Sequence, residues 1–134
     1  MIFLYIKARN PNCAAAYAGI ADVYGTLGSW EAGVLPATEA LVASRNAARK
    51  ALSIEPALAE AHTSLGYVAQ HFEWNLSEAE AYFRKAIDLS PAYAVARHWH
   101  SHSLVAAGRF EESLAESRKA LELDPVDLLL NVHL

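Results

Sequence analysis

Arg84-Lys85-Ala86-Ile87-Asp88-Leu89-Ser90-Pro91 is the stretch from which the fold can be read, because the chain contains it three times. Upstream stands Arg49-Lys50-Ala51-Leu52-Ser53-Ile54-Glu55-Pro56, and downstream Arg118-Lys119-Ala120-Leu121-Glu122-Leu123-Asp124-Pro125. The three prolines are 35 and 34 residues apart, and self-similarity at such a period marks stacked structural units. In each copy the two cations are expected near a helix C-terminus, where the macrodipole favours positive charge. The proline cannot continue a helix, so it marks the stop, and it suits the first turn of the helix that follows. Pro11 lies 45 residues before Pro56, so the first unit is longer than the other two.

Within each unit the apolar spacing predicts two helices. Ala61, Leu65, Val68 and Phe72 fall on one helical face. After a break at Glu73 to Leu76, Ser77 with Glu80 reads as a capping box opening a second helix, with Ala79, Phe83, Ala86 and Ile87 as its buried stripe. The third unit repeats the plan: a first helix over about Ala92 to Ala107, a turn at Gly108-Arg109, and a second helix with Phe110, Leu114, Ser117 and Leu121 on one face. Glu111 and Glu112 suit the positive start of that helix. The first unit has helices over about Cys13 to Leu27 and Ala37 to Ile54, with Pro36 in the first turn of the latter. Between them lies a long loop, Gly28 to Pro36. No segment shows strand alternation, so the chain reads as all-α.

Bulk composition agrees. With 54 % apolar and 19 % charged residues in 134, the chain has enough apolar surface to fold as one domain. The formal net charge of −4 comes without any basic run, which argues against a nucleic-acid partner. A lone cysteine, Cys13, excludes an internal disulfide. The apolar start, Met1 to Ile6, is far short of the ~20 residues a spanning helix needs, and it lacks the features of a signal peptide. A soluble, cytoplasmic domain without membrane contact is the expectation, although the residues specify no compartment.

The period, the terminal proline, Leu65-Gly66 in the first helix of its unit, and Ala79, Phe83, Ala86 and Pro91 in the second resemble the tetratricopeptide repeat. Gly108, Phe110, Ala120 and Pro125 continue the match, which covers about Ala14 to Pro125. The resemblance implies a right-handed α-solenoid of stacked antiparallel helix hairpins, with about six full helices and partial helices at both ends. Residues 1–11 would end a truncated repeat. Residues 12–56 would form the first repeat with its inserted loop over 28–36, residues 57–91 the second, 92–125 the third, and 126–134 the start of another. His100, Ser101, Ser113 and Ser117 depart from the pattern and are expected to weaken the third unit's packing. Trp74 and Arg97-His98-Trp99 look like repeats of bacterial signalling proteins, which implies a segment of a larger regulatory protein.

In that family the first helices of the hairpins line a concave surface that holds peptides or partner helices, and no cofactor is implied. Carried over by position, the surface comprises Ala15, Ala18, Asp22, Gly25 and Thr26, then Glu60, Thr63, Tyr67, Gln70 and His71, then Val95, His98, His102, Val105 and Ala106. The strongest candidates are Asp22, Glu60, Thr63, Tyr67, Gln70, His71, His98 and His102. Acids in a mildly aromatic groove predict an uncharged or weakly basic peptide held by Tyr67 and the histidines. A solvated surface is the blander reading of the same residues. His98 and His102 share a helical face and could ligate a metal, but no HExxH pattern or neighbouring ligand completes such a site. No nucleophile elbow or phosphate loop suggests an enzyme. Trp30, Trp74 and Trp99 are expected to pack between helices or under turns, and the Trp30, Val34 and Leu35 tip of the inserted loop to fold back. A competing role is self-association through an uncapped C-terminal edge bearing Leu128-Leu129-Leu130.

Overall fold

A computed structural model describes residues 13–29 and 33–126. These form six α-helices in three hairpins: α1 Ala14–Leu27 with α2 Ala37–Ile54, α3 Ala59–His71 with α4 Leu76–Leu89, and α5 Ala94–Ala106 with α6 Phe110–Leu123. Among the described residues there is no strand. The expected partial helices, Trp30 and Leu128 to Leu130 lie outside the described residues; of the rest of the loop tip, Val34 is 64 % exposed rather than folded back, although its N–H and that of Leu35 return to the Leu27 carbonyl at 3.1 Å.

Alanine decides how closely these helices approach. Ala21, Ala40, Ala48, Ala51, Ala61, Ala79, Ala86 and Ala96 are all at 0 % exposure, and they sit at helix crossings where a larger side chain would hold the backbones apart. Few bulky groups are fully enclosed; Phe83 of α4, Leu104 of α5 and Val68 of α3 are the largest. Phe83 lies so close to Gly66 that a Cβ there would fall 2.6 Å from its ring. The predicted stripes of α3 and α4 thus serve more than one interface: Phe83 and Ala79 pack on Ala69 within the hairpin, Ala61 and Leu65 pack on α1 and α2, and Ala86 packs on Ala59 and on Ala96 of α5.

Packing is most extensive within each hairpin, then between the second helix of one hairpin and the first of the next. The first helices also touch one another, α1 with α3 and α3 with α5, whereas the second helices do so little or not at all. A stack in which one layer converges and the other spreads is curved. The concave side therefore belongs to α1, α3 and α5.

Several local expectations are corrected. Pro56 and Pro91 lie not in the first turn of a helix but in a four-residue turn ahead of it, closed by Leu58 N–H to Glu55 O at 3.2 Å and Tyr93 N–H to Ser90 O at 3.0 Å. Proline's fixed φ suits the second position of such a turn. The Arg-Lys pairs stand a turn before the helix ends rather than in the last turn, and Arg84 meets Glu80 at 2.8 Å instead of the helix dipole. The cap of α4 is Asn75, not Ser77: its carboxamide accepts from Glu78 N–H at 3.2 Å and donates to the Glu78 carboxylate at 2.9 Å. Trp74 packs under nothing; it is 75 % exposed. On α6 the apolar face is uneven: Leu121 packs against Ala94 and Ala120, whereas Phe110 and Leu114 are 66 % and 46 % exposed.

Candidate functional site

Across the concave side, side chains from all three hairpins meet around one pocket of about 180 Å³. Its lining combines Ala21, Asp22 and Thr26 of α1, Ser44 of α2, Thr63, Ser64 and Tyr67 of α3, and Val95 and Trp99 of α5. Helical spacing places them so, since Thr63 and Tyr67, or Val95 and Trp99, are one turn apart. Ser44 anchors the floor by donating to the Ala21 carbonyl at 2.8 Å, which joins α2 to α1. Gly25 keeps α1 low beneath the Tyr67 ring, which an added Cβ would just touch at 3.4 Å.

Asp22 is the pocket's charged group. It stays accessible to solvent along the groove, and the Ser64 hydroxyl donates to its carboxylate across the α1–α3 interface. Crowding by protein pushes its pKa up to about 6; the Ser64 hydrogen bond works against this, and the negative charge of Glu60 adds to it. The pKa of Tyr93, the residue ahead of α5, is raised by burial first and then by the fields of Asp22 and Glu60. The pocket therefore sits in negative potential. Among the described residues no cation pairs with Asp22 or Glu60.

Beyond the pocket an aromatic wall runs from α3 to α5. Tyr67 and His71 stack with centroids 3.9 Å apart, and Trp99 meets both edgewise at 4.9 and 5.4 Å. His98 and His102 continue it, 4.7 Å apart and 4.7 and 5.2 Å from Trp99. Such edge contacts suit ring quadrupoles and hold the wall rigid.

The eight candidates separate by exposure. Asp22 and Glu60 are exposed, Tyr67, His71 and His102 half-buried, and Thr63, Gln70 and His98 buried. Thr63 and His98 are parts of the groove's floor and frame, with Thr63 donating to the Ala59 carbonyl at 2.9 Å. Gln70 lies outside the pocket lining. Trp99 joins the site although the sequence reading placed it between helices; it does pack against Ala69, Ala79 and Phe83, yet it also walls the pocket. Its spacing from Val95 and His102 puts it on the groove face, and that signal was available. Among the described residues no three potential ligands come together as a metal site.

On the opposite side a second cavity of about 310 Å³ opens among α4, α5 and α6. Buried His100 borders it, its Nε2 3.6 Å from the Glu80 carboxylate, and burial pushes the imidazole's pKa down. Burial also acts on Glu80 in the upward direction, but hydrogen bonds from Arg84 and Arg109 outweigh it and hold that carboxyl below its usual range. Arg109 spans from Glu80 to Glu112 at 2.9 and 2.6 Å, tying the second hairpin to the third. Ser113 donates to the main-chain carbonyl of Ser101 at 2.8 Å, joining α6 to α5, and Ser101 donates to the His98 carbonyl at 2.6 Å.

The tetratricopeptide repeat pattern matches residues 59–93 and 94–127, just over half of the 134 residues. No curated protein sequence matches the chain. Among solved structures, a thermophilic tetratricopeptide protein of Thermus thermophilus is 26 % identical with a TM-score of 0.75, covering 98 % of this chain and 66 % of its own. MamA is 16 % identical with a TM-score of 0.64, over 92 % of this chain and 65 % of its own. The first such domain of Spaghetti (RPAP3), bound to the HSP90 peptide SRMEEVD, is 16 % identical with a TM-score of 0.63, over 87 % and 88 %. The chain thus spans about two thirds of the first two structures.

Proposed function

We propose that this chain, which belongs to the tetratricopeptide repeat family, holds a peptide segment or partner helix in the groove of α1, α3 and α5. The observation that carries the proposal is the pocket to which all three hairpins contribute, bordered by the Tyr67–Trp99 wall. A half-buried rigid aromatic wall beside a small pocket is the form of a binding hot spot. The RPAP3 domain, similar in fold, binds an acidic peptide; Asp22 and Glu60 make this groove unsuited to that ligand. The proposal is for a scaffold without catalysis of its own, serving as the recognition segment of a larger bacterial regulatory protein. No described helix is long and apolar enough to cross a membrane.

Display of a random peptide library against the intact chain tests this. The expected result is a selected sequence class that binds the chain but not the Tyr67→Ala/His102→Ala variant, with the variant's thermal melt still cooperative. Selected peptides that bind both forms equally would place recognition elsewhere.

A second role, self-association, is favoured by one observation: α6 leaves Phe110, Leu114 and Leu123 at 66 %, 46 % and 43 % exposure. Light scattering over a concentration series should then show growth in mass that Leu114→Glu abolishes. Constant monomer mass would dismiss this role.

A further inference from the structure

We propose that the pocket at Asp22 takes a lysine or arginine side chain of the bound peptide, with its aliphatic stem against Tyr67, Val95 and Trp99 and its charge on the Asp22 carboxylate. The inference rests on the groove-binding reading above and deepens it by naming the chemistry of the anchoring residue.

Three independent features converge on a cation. First, the pocket is a recess of about 180 Å³ that opens onto the groove, sized for one side chain and not for a helix face. Second, its polar end carries a carboxylate whose bond from Ser64 occupies one oxygen, Oδ1, leaving Oδ2 for a ligand. The neighbouring Glu60 and the absence of any described cation at ion-pair distance leave that charge to be met from outside. Third, its walls are Tyr67, Val95 and Trp99, apolar surface against which the stem of a long side chain packs while its charged tip reaches Asp22. An aliphatic ligand would use the walls and leave the carboxylate desolvated without compensation, which costs binding energy. An acidic ligand would be repelled. A long side chain with an apolar stem and a charged tip satisfies both ends at once.

Fluorescence polarisation with short labelled peptide pools, randomised except for a central lysine, arginine, leucine or glutamate, tests this at pH 7.5 on the whole chain. The lysine and arginine pools should bind about tenfold more tightly than the leucine pool, the range of a charge-assisted contact, and the glutamate pool least. Asp22→Asn, which retains an acceptor for Ser64, should bring lysine and leucine to within roughly twofold, by weakening lysine binding and by easing the desolvation that a leucine incurs at the carboxylate. Equal binding of lysine and leucine pools to the unaltered chain, or a lysine preference that survives Asp22→Asn, overturns the inference and leaves groove binding standing. Silence of every pool, or binding that Tyr67→Ala does not weaken, overturns both. Should Asp22→Asn fail to melt cooperatively, Glu60→Gln takes its place, and an unchanged lysine preference there counts against the negative field as its source.

Discussion

Asp22 shows how one residue links packing to recognition. In the fold its carboxyl titrates at about 6 rather than at its ordinary 3.8, chiefly because protein crowds it. The folded state therefore holds more protons than the unfolded chain between those values, and stability falls as pH rises through that window. Asp22→Asn should flatten this part of the urea-midpoint profile and leave the protein at least as stable at pH 7.5. A variant less stable than the parent there would contradict the account. Binding of a cationic peptide runs the opposite way, since it needs the carboxylate and is lost as pH falls through about 6. Glu60 and Tyr93 share the field, and protonation of His71, His98 or His102 would also oppose a cation, so the comparison with Asp22→Asn isolates the part due to Asp22.

Gly28 shows the same coupling through space alone. Its φ of −90° suits any residue, but a Cβ would lie 2.0 Å from the Ala40 Cβ. Gly28→Ala should cost about 1–3 kcal/mol in urea unfolding, typical of overpacking; a cost near zero would mean that α1 and α2 do not approach so closely. Nothing in the sequence marked Gly28 as different from any loop glycine, because the reason is a neighbour twelve residues away. Asp22 and Tyr67 were legible because one face of an amphipathic helix fixes which residues share a groove. The buried state of Gln70 and His98 was not legible, since periodicity gives a direction but not a depth.

Among the elements, the turns inside the hairpins explain the uneven period. In the third hairpin Gly108 takes the left-handed conformation at φ 77°, and Arg109 N–H reaches the Leu104 carbonyl at 2.9 Å to close the helix. In the second hairpin Trp74 holds that conformation at φ 54°, Asn75 N–H reaches back to Ala69 at 2.9 Å, and the turn is one residue longer. That residue is the difference between the spacings of 35 and 34. A tryptophan in the left-handed region is strained and here is 75 % exposed. Trp74→Gly should stabilise the fold by about 1 kcal/mol at unchanged urea m-value; a loss of stability would show that the indole makes contacts worth more than the strain. Asn75→Ala should remove the cap and cost about 1 kcal/mol, whereas Ser77→Ala should change little. Equal effects at both positions would restore the capping box first read at Ser77. Asn75 with Glu78 has the same spacing as Ser77 with Glu80, and only the position of the helix start, which the structure gives, distinguishes the two.

At the scale of the molecule, the repeated octet determines the architecture and the layer of first helices determines the site. Six helices and their pairing follow from the recurrence of one pattern, which is why they could be read from residues alone, whereas the side that curves inward came only from the family resemblance. The pocket could not, because it depends on how far α1, α3 and α5 lean towards one another, and the alanines at the crossings set that distance only once packed. Its central claim is therefore geometric: residues of three separate hairpins converge at Tyr67. Nuclear Overhauser contacts in the free protein measure this directly. The account predicts cross-peaks from the Tyr67 ring to the Gly25 α-protons and to the Trp99 indole in the same sample. Helices with intact contacts inside each hairpin, but without those two sets of cross-peaks, would contradict it.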